Sequence, residues 1–297
     1  MTLSTLLEGE IKAPRRLPPW LRRSLPAESS EKTHGILARY GLNTVCESAM
    51  CPNRNECYSG GTATFMILGN VCTRRCGFCA VETGRGEELS ADEPARVADA
   101  ASAMGLSYVV VTSVARDDLA DEGAVHFAET VKSIKRRIDG VRVEVLTPDF
   151  HARRELIKTV VDAAPDVYNH NVETVRRLQR EVRVQASYER SLEVLLTAKE
   201  INSEIYTKSG LMLGLGETDA ECLETGRDLR RVGCDIVTIG QYLQPTQGHV
   251  DVVDYVRPER FSYLAEEMKK LGFHDVFSGP YVRSSYHAGE SYEAING

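Results

Sequence analysis

The sequence predicts an α/β protein: a partial (β/α)6 TIM-type barrel with N-terminal and C-terminal extensions. Three observations carry this. Six apolar, β-branched runs recur from about residue 60, at 62–68, 108–114, 141–147, 167–171, 205–215 and 236–243. Between most of them lie segments with helical periodicity and helix punctuation. No fixed-length repeat or low-complexity tract competes with that alternation. Strands alternating with helices imply parallel strands with helices packed outside. An open doubly wound sheet shares the alternation, but here polar residues collect at the C-terminal ends of the runs, as at a barrel mouth.

Along the chain, residues 1–45 lack clear periodicity. They hold Pro14, Pro18, Pro19 and Pro26 with Arg15, Arg16, Arg22 and Arg23, and read as an extended arm pinned to the body by Trp20. Residues 46–60 form a cysteine-bearing loop, 61–273 the barrel and 274–297 a C-terminal extension. Cys72, Cys76 and Cys79 follow the first run, and Arg116, Asp117 and Asp118 the second. Asn169 and Asn171 close the fourth, and Gln244, Pro245 and Thr246 the sixth. Ser90 with Glu93, and Thr218 with Glu221, fit capping boxes. Pro258 suits a first helical position, and Gly105, Gly233 and Gly272 suit helix ends.

Composition narrows the function. The chain has 297 residues, with Lys+Arg 36 against Asp+Glu 43 and a formal charge of −7. A bulk nucleic-acid binder would tilt the other way. No apolar run approaches the ~18 residues of a membrane span, and the N-terminus has no basic-then-apolar signal pattern. The expectation is a cytoplasmic enzyme with no nucleic acid and no membrane partner. Of eight cysteines, six fall between Cys46 and Cys79. Cytosolic thiols stay reduced, so such a cluster points to metal or catalysis rather than disulfides.

The stretch CTRRCGFC places Cys72, Cys76 and Cys79 at C-x3-C-x2-C spacing. Three thiolates can hold three corners of an iron–sulfur cube and leave one iron open. Zinc is the alternative, but it asks for four ligands and commoner C-x2-C pairs. A second triad, Cys46, Cys51 and Cys57, has C-x4-C-x5-C spacing and again no local fourth cysteine. Two triads this close argue for two clusters. Cys222 and Cys234 read as buried packing residues.

The first triad, with an aromatic before its last cysteine, resembles the radical SAM superfamily. The resemblance to one family within it is closer. The segment from Val45 to Cys57, GGTATFMILG, CTRRCGFC, TSVARDDL, VEVLTPDF, YNHNVET, KSGLMLGLGE, GQYLQPT and VRSSY, in that order, resemble lipoyl synthases from about Leu17 to Ala288.

That resemblance implies two [4Fe-4S] clusters and S-adenosyl-L-methionine. Cys72, Cys76 and Cys79 would hold the catalytic cluster, whose open iron chelates the cofactor. Cys46, Cys51 and Cys57 would hold an auxiliary cluster that gives up sulfide, with Ser285 as its fourth ligand and Ser284 as the alternative. Phe78, Asn169, Asn171 and Glu173 would contact S-adenosylmethionine. The implied reaction inserts two sulfurs, at C6 and C8 of a protein-bound octanoyl chain. Implied partners are an octanoylated carrier domain (a glycine-cleavage H protein or a 2-oxoacid dehydrogenase E2 domain) and a flavodoxin or ferredoxin type of electron donor.

Other readings are a different radical SAM enzyme with an auxiliary cluster, biotin-synthase-like or methylthio-transferring, and a non-enzymatic zinc or iron–sulfur protein. The second triad and the serine pair speak against the first of these. Arg176, Arg177, Arg180 and Arg183 are either a solvated helix face or a dock for an acidic carrier. The chain departs from the family pattern at Val184 and Gln185, where Pro-Gly is expected, at Gly86 for proline and at Tyr58 for tryptophan. His170 and His249 receive no role.

Overall fold

A computed structural model describes residues 16–22, 30–286 and 288–289. In chain order the main elements are α1 (Glu31–Tyr40), β1 (Asn43–Thr44), α2 (Val45–Ser48), α3 (Arg54–Ser59), β2 (Thr64–Ile67), β3 (Val71–Cys72), β4 (Glu82–Thr83), α4 (Glu93–Met104), β5 (Tyr108–Ser113) and α5 (Ala124–Arg137). They continue with β6 (Arg142–Leu146), α6 (Arg154–Val161), β7 (Val167–Asn169), α7 (Gln179–Val182), α8 (Tyr188–Ile201), β8 (Tyr206–Leu213), α9 (Asp219–Arg231), β9 (Ile236–Gln241), α10 (Pro258–Lys270) and β10 (Asp275–Gly279).

The main sheet runs β1-β2-β5-β6-β7-β8-β9-β10. β1 pairs antiparallel with β2, and every other neighbour is parallel. The α/β partial barrel expected from the sequence is present, and each of the six predicted runs contains a strand. The parallel sheet also continues into β10, which pairs with β9 from Asp275 opposite Ile236 to Gly279 opposite Gly240.

The strands read as nearly continuous apolar runs because both faces are covered. Val109 and Val111 of β5 are fully buried against the helices, as are Phe127, Val131 and Ile134 of α5. Each such side chain contributes about 1.5–3 kcal/mol relative to exposure. A second apolar cluster joins β8 and β9 to Leu229 of α9 and to Phe261, Leu264 and Met268 of α10. Cys222 and Cys234 lie in it, both fully buried.

Local signals behave as expected at most ends. The Thr218–Glu221 capping box is formed, Pro258 opens α10, and Gly105 takes a left-handed conformation after α4. The Ser90–Glu93 box is not formed. Asp92 is the N-cap of α4 without a side-chain capping bond, and Glu93 turns inward to accept from Leu68 N at 2.9 Å and to meet His126 Nε2 at 2.7 Å.

Within the segment read as an extended arm, Glu31–Tyr40 is a helix that buries Thr33 and Leu37. A Thr and a Tyr stand in its inward row, which hid the period. Trp20 is tied to the body: its indole N–H donates to Val256 O at 3.1 Å, and the Arg257 guanidinium stands over its ring.

Candidate active site

The Cys72–Cys79 loop leaves the top of the first barrel strand and is fastened on every side. Cys72 Sγ accepts backbone N–H bonds from Arg74 (3.4 Å) and Ala115 (3.3 Å). Gly77 N donates to Val182 O, and Gly77 O accepts from Val250 N. A Cβ on Gly77 would stand 2.6 Å from Val250 Cγ2, so only glycine fits there. His249 Nε2 meets Cys79 O at 3.0 Å. Burial pushes the thiol of Cys76 up to about 11 and that of Cys79 up to about 12. Arg183 opposes the rise at Cys76, and the Glu173 carboxylate adds to it at both.

Between the first two of these cysteines, Arg74 is almost fully buried. Its guanidinium reaches Asp117 through Nε (2.8 and 3.0 Å) and Nη2 (2.6 Å), and Asp149 through Nη1 (2.8 Å). Asp149 also takes Arg190 Nη1 at 3.1 Å. Burial, the largest single influence, would raise the Asp149 carboxyl, but Arg74 together with its neighbours, the His151 N–H among them, outweighs it and the group falls to about 2. Asp149 sits beside three consecutive non-glycine residues in the left-handed region: Phe150 (φ 44°), His151 (φ 48°) and Ala152 (φ 54°). Such conformations cost of the order of 1–3 kcal/mol each and persist where surrounding contacts over-determine them.

At the end of β7, Asn169 Nδ2 donates to Glu144 Oε1 (2.8 Å) and Asn171 Nδ2 to Glu173 Oε1 (3.0 Å). Both amide oxygens are buried without a partner. Gly210 leaves the room: a Cβ there would lie 2.8 Å from Asn171 Oδ1. Burial raises the Glu173 carboxyl. His170 bonds Thr147 O (2.9 Å) and Ser191 Oγ (3.1 Å), and burial lowers it to about 4, so it is neutral. Ser191 Oγ also accepts from Arg183 Nη1 (2.8 Å). Beneath, Lys208 Nζ meets both oxygens of Glu144 at 3.1 Å, inside the barrel.

The second triad lies on α2, the turn after it and α3. Thr44 caps α2 by accepting from Glu47 N. Burial raises Cys46 to about 11 and Cys57 to about 12, and the neighbouring triad sulfurs raise both further. The C-terminal segment reaches this loop across the whole chain. Asn53 Nδ2 donates to Tyr281 O at 2.7 Å, and the Tyr286 hydroxyl to Glu56 Oε1 at 2.8 Å. Ser284 and Ser285 lie between those two ties. The Val282 carbonyl rests against β9, where a Cβ on Gly240 would be 2.0 Å away.

The donor spacing separates a cluster from a single ion. Among the described residues, Asp117, Glu122 and His151 are the one trio of metal-type ligands whose atoms all lie within 4.8 Å of one another. That trio is already committed to Arg74 and Arg153. Neither cysteine triad closes so far, whereas three thiolates on one zinc ion would stand about 3.8 Å apart. Sulfurs that share an electrostatic environment yet stay further apart suit a body of several atoms.

A model of the Radical SAM superfamily matches residues 66–229. The chain is 55% identical over 273 residues to the lipoyl synthase of Caldanaerobacter subterraneus subsp. tengcongensis, covering 92% of this chain and 96% of that protein. It is 54% identical to lipoyl synthase 2 of Thermosynechococcus vestitus, over 93% of this chain and 98% of that one. The chain belongs to the lipoyl synthase family. It is an enzyme of the radical SAM class. Among solved structures, methylornithine synthase (TM-score 0.54, 16% identity, covering 74% of this chain and 71% of that one) has the same fold. So does the FeFe-hydrogenase maturase HydG from Carboxydothermus hydrogenoformans (TM-score 0.54, 16% identity, 78% and 65%).

Against the lipoyl synthase pattern, the chain's departures have local partners. Gln185 Oε1 accepts from Arg75 N at 2.7 Å, so the altered turn still touches the cysteine loop. At Gly86 a Cβ would fall 2.2 Å from Arg116 Nε, leaving no room for proline. Tyr58 is buried with its hydroxyl 2.6 Å from Thr44 Oγ1.

Of the arginine segment, Arg176 pairs with Glu189 and Asp228, Arg177 with Glu221, and Arg183 is buried. Two of the four arginines are thus ion-paired at the surface and a third is buried. Phe78 is partly buried against the apolar cluster of β8 and β9. Arg74, Asp149, Asn53, Glu56 and His249 carry contacts that sequence reasoning did not single out. The pair of arginines between two cysteines in CTRRC was the one sequence signal that pointed toward the first.

Proposed function

We propose that this chain inserts two sulfur atoms, at C6 and C8, into an octanoyl chain carried on a protein lysine. Cys72, Cys76 and Cys79 hold the catalytic [4Fe-4S] cluster. Cys46, Cys51, Cys57 and Ser285 hold the auxiliary [4Fe-4S] cluster, with Ser284 the alternative fourth ligand. When bound at the first triad, a cluster with S-adenosylmethionine would supply the radical chemistry that removes hydrogen, and a cluster at the second would supply sulfide.

The chain's own residues bind, orient and exclude water. The unpartnered oxygens of Asn169 and Asn171 accept hydrogen bonds from the cofactor's polar groups, with Glu173 beside them. Phe78 packs beside its adenine. The barrel wall and the tail over Gly240 keep water from a reactive radical. A serine oxygen is a hard ligand, mismatched to iron in a sulfide cube, which suits a cluster that must come apart.

The observation that supports this reading is the pair of ties, Asn53 to Tyr281 and Tyr286 to Glu56, which flank the serine pair in sequence and join its segment to the second cysteine loop. The substrate is an octanoylated carrier domain, such as a glycine-cleavage H protein or a 2-oxoacid dehydrogenase E2 domain, and the electron comes from a flavodoxin or ferredoxin. Six clustered cysteines read as metal ligands rather than disulfides support a cytoplasmic location. No helix among the described residues is long and apolar enough to cross a membrane.

Anaerobic reconstitution with an octanoylated carrier tests the reading. About eight irons per chain and a product with two sulfurs in place of two hydrogens are expected. Cofactor cleavage without sulfur gain would overturn it.

A further inference from the structure

We propose that Arg74 is a positioning residue, which with Asp117 and Asp149 clamps the arch between Cys72 and Cys76 into the shape that receives the catalytic cluster. The inference rests on the assignment of that cluster to Cys72, Cys76 and Cys79.

The x3 gap is the longer of the two in this triad, so it is where a loop could slacken. Arg74 stands in its middle and is 7% exposed. Its backbone N–H points to Cys72 Sγ while its side chain runs the other way, into the barrel wall. One carboxylate comes from the loop after β5 and the other from the loop after β6. The β5 loop is tied a second time: Thr73 Oγ1 donates to Ala115 O (3.0 Å) and accepts from Asp117 N (3.0 Å). The same loop's Ala115 N reaches Cys72 Sγ. Cys72 is thus held by N–H groups on both sides of the clamp.

The supply of the second carboxylate is the independent observation. The left-handed residues at 150–152 follow directly after Asp149, and His151 N turns back to its Oδ1 at 3.1 Å. An ordinary extended exit from β6 would carry the chain outward. The strained turn instead keeps the Asp149 side chain fully buried between Arg74 and Arg190. Arg190 lies beside Ser191, which holds His170 and Arg183, so the clamp and the end of β7 share one support. A guanidinium can serve two carboxylates in one plane, and an ammonium cannot.

The test uses the full-length protein with Cys46, Cys51 and Cys57 replaced by Ala, so that a single cluster is followed. Removal of a group that orients a metal ligand lowers affinity or activity by roughly 10- to 100-fold. Arg74→Gln is expected to lose iron to a chelator faster by that factor and to change the electron-paramagnetic-resonance signal that S-adenosylmethionine induces in the reduced cluster. Arg74→Lys, which keeps the charge but not the fork, is expected to lie between. In cluster-free protein, backbone amides of residues 73–79 and 115–117 should exchange about tenfold faster in Arg74→Gln.

Retained exchange at the α5 and α8 amides marks the variant as folded, and Asp149→Asn is a second route to the same loss if it is not. Wild-type rates of iron loss, an unchanged signal and unchanged exchange in folded Arg74→Gln overturn the clamp. A parent that binds no cluster on Cys72, Cys76 and Cys79 overturns the assignment beneath it instead.

Discussion

The Tyr286 hydroxyl donates a 2.8 Å hydrogen bond to Glu56 Oε1, joining positions 230 residues apart. Glu56 is the residue before Cys57, and Tyr286 the residue after Ser285. This bond therefore ties the segment that carries the serine pair to the second cysteine loop. One hydrogen bond of this kind is worth about 0.5–1.5 kcal/mol net, or roughly 2- to 12-fold in an equilibrium. Tyr286→Phe is expected to speed iron loss from the auxiliary cluster by that factor and to spare the catalytic one. Ser285→Ala is expected to lose the auxiliary iron outright while Ser284→Ala keeps it. Iron counts and chelator kinetics on the three variants decide, and the reverse serine pattern moves the ligand to Ser284.

Lys208 and Glu144 form a buried ion pair in the barrel interior, with the Tyr108 hydroxyl and Asn169 Nδ2 completing the carboxylate's bonds. Removing one partner leaves a buried charge alone, which costs about 3–5 kcal/mol. Lys208→Met is expected to show that loss in denaturant unfolding of the cluster-free protein. The double variant Lys208→Met with Glu144→Gln should recover part of it, because a neutral amide can still accept from Asn169. A Lys208→Met protein of wild-type stability would show that water reaches the pair.

The fold was legible where the chemistry is local. Strand runs, the Thr218 cap and the helix-ending glycines depend on neighbours in sequence, and they stand where expected. β10 was missed because Val276 is its one fully committed inward residue. The cysteine spacing was legible for the same reason that strands are, since three ligands within eight residues share one loop. What holds that loop was not. Arg74, Asp117 and Asp149 meet only after three strands and two helices intervene, and no local rule pairs them. The His249 ring on Cys79 O, 170 residues away, is likewise invisible without the closed barrel.

His170 gives the stability a pH dependence of known sign. In the fold its pKa is lowered to about 4 by burial, while the unfolded chain takes up the proton below about 6.5. Between those values the unfolded state binds more protons, so its contribution is whole above pH 6.5 and is lost as the pH falls toward 4. The full contribution is about 3 kcal/mol. Thermal midpoints of the cluster-free protein should fall more steeply from pH 6.5 to 4 in the wild type than in His170→Gln. Parallel curves would place a charged His170 in the native state.

Thiol chemistry offers a check that needs no cluster. Burial raises Cys46 and Cys76 to about 11, and Cys57, Cys79, Cys222 and Cys234 to about 12. The thiolate is the nucleophile, so at pH 8 only about one molecule in 1,000 to 10,000 is reactive at each position. Alkylation of cluster-free protein by iodoacetamide, mapped by mass, should run far below the rate of free glutathione and rise about tenfold per pH unit up to pH 9. The cysteines then divide by access. Cys51, Cys57, Cys72, Cys76 and Cys79 are partly exposed and react before buried Cys46, while Cys222 and Cys234 wait for unfolding. The same raised values mean that cluster loading must displace protons, so iron uptake at Cys76 and Cys79 should strengthen as the pH rises. Rapid labelling of Cys222 or Cys234 at pH 8 in folded protein would remove both from the core and leave the packing of α9 on β8 without its explanation.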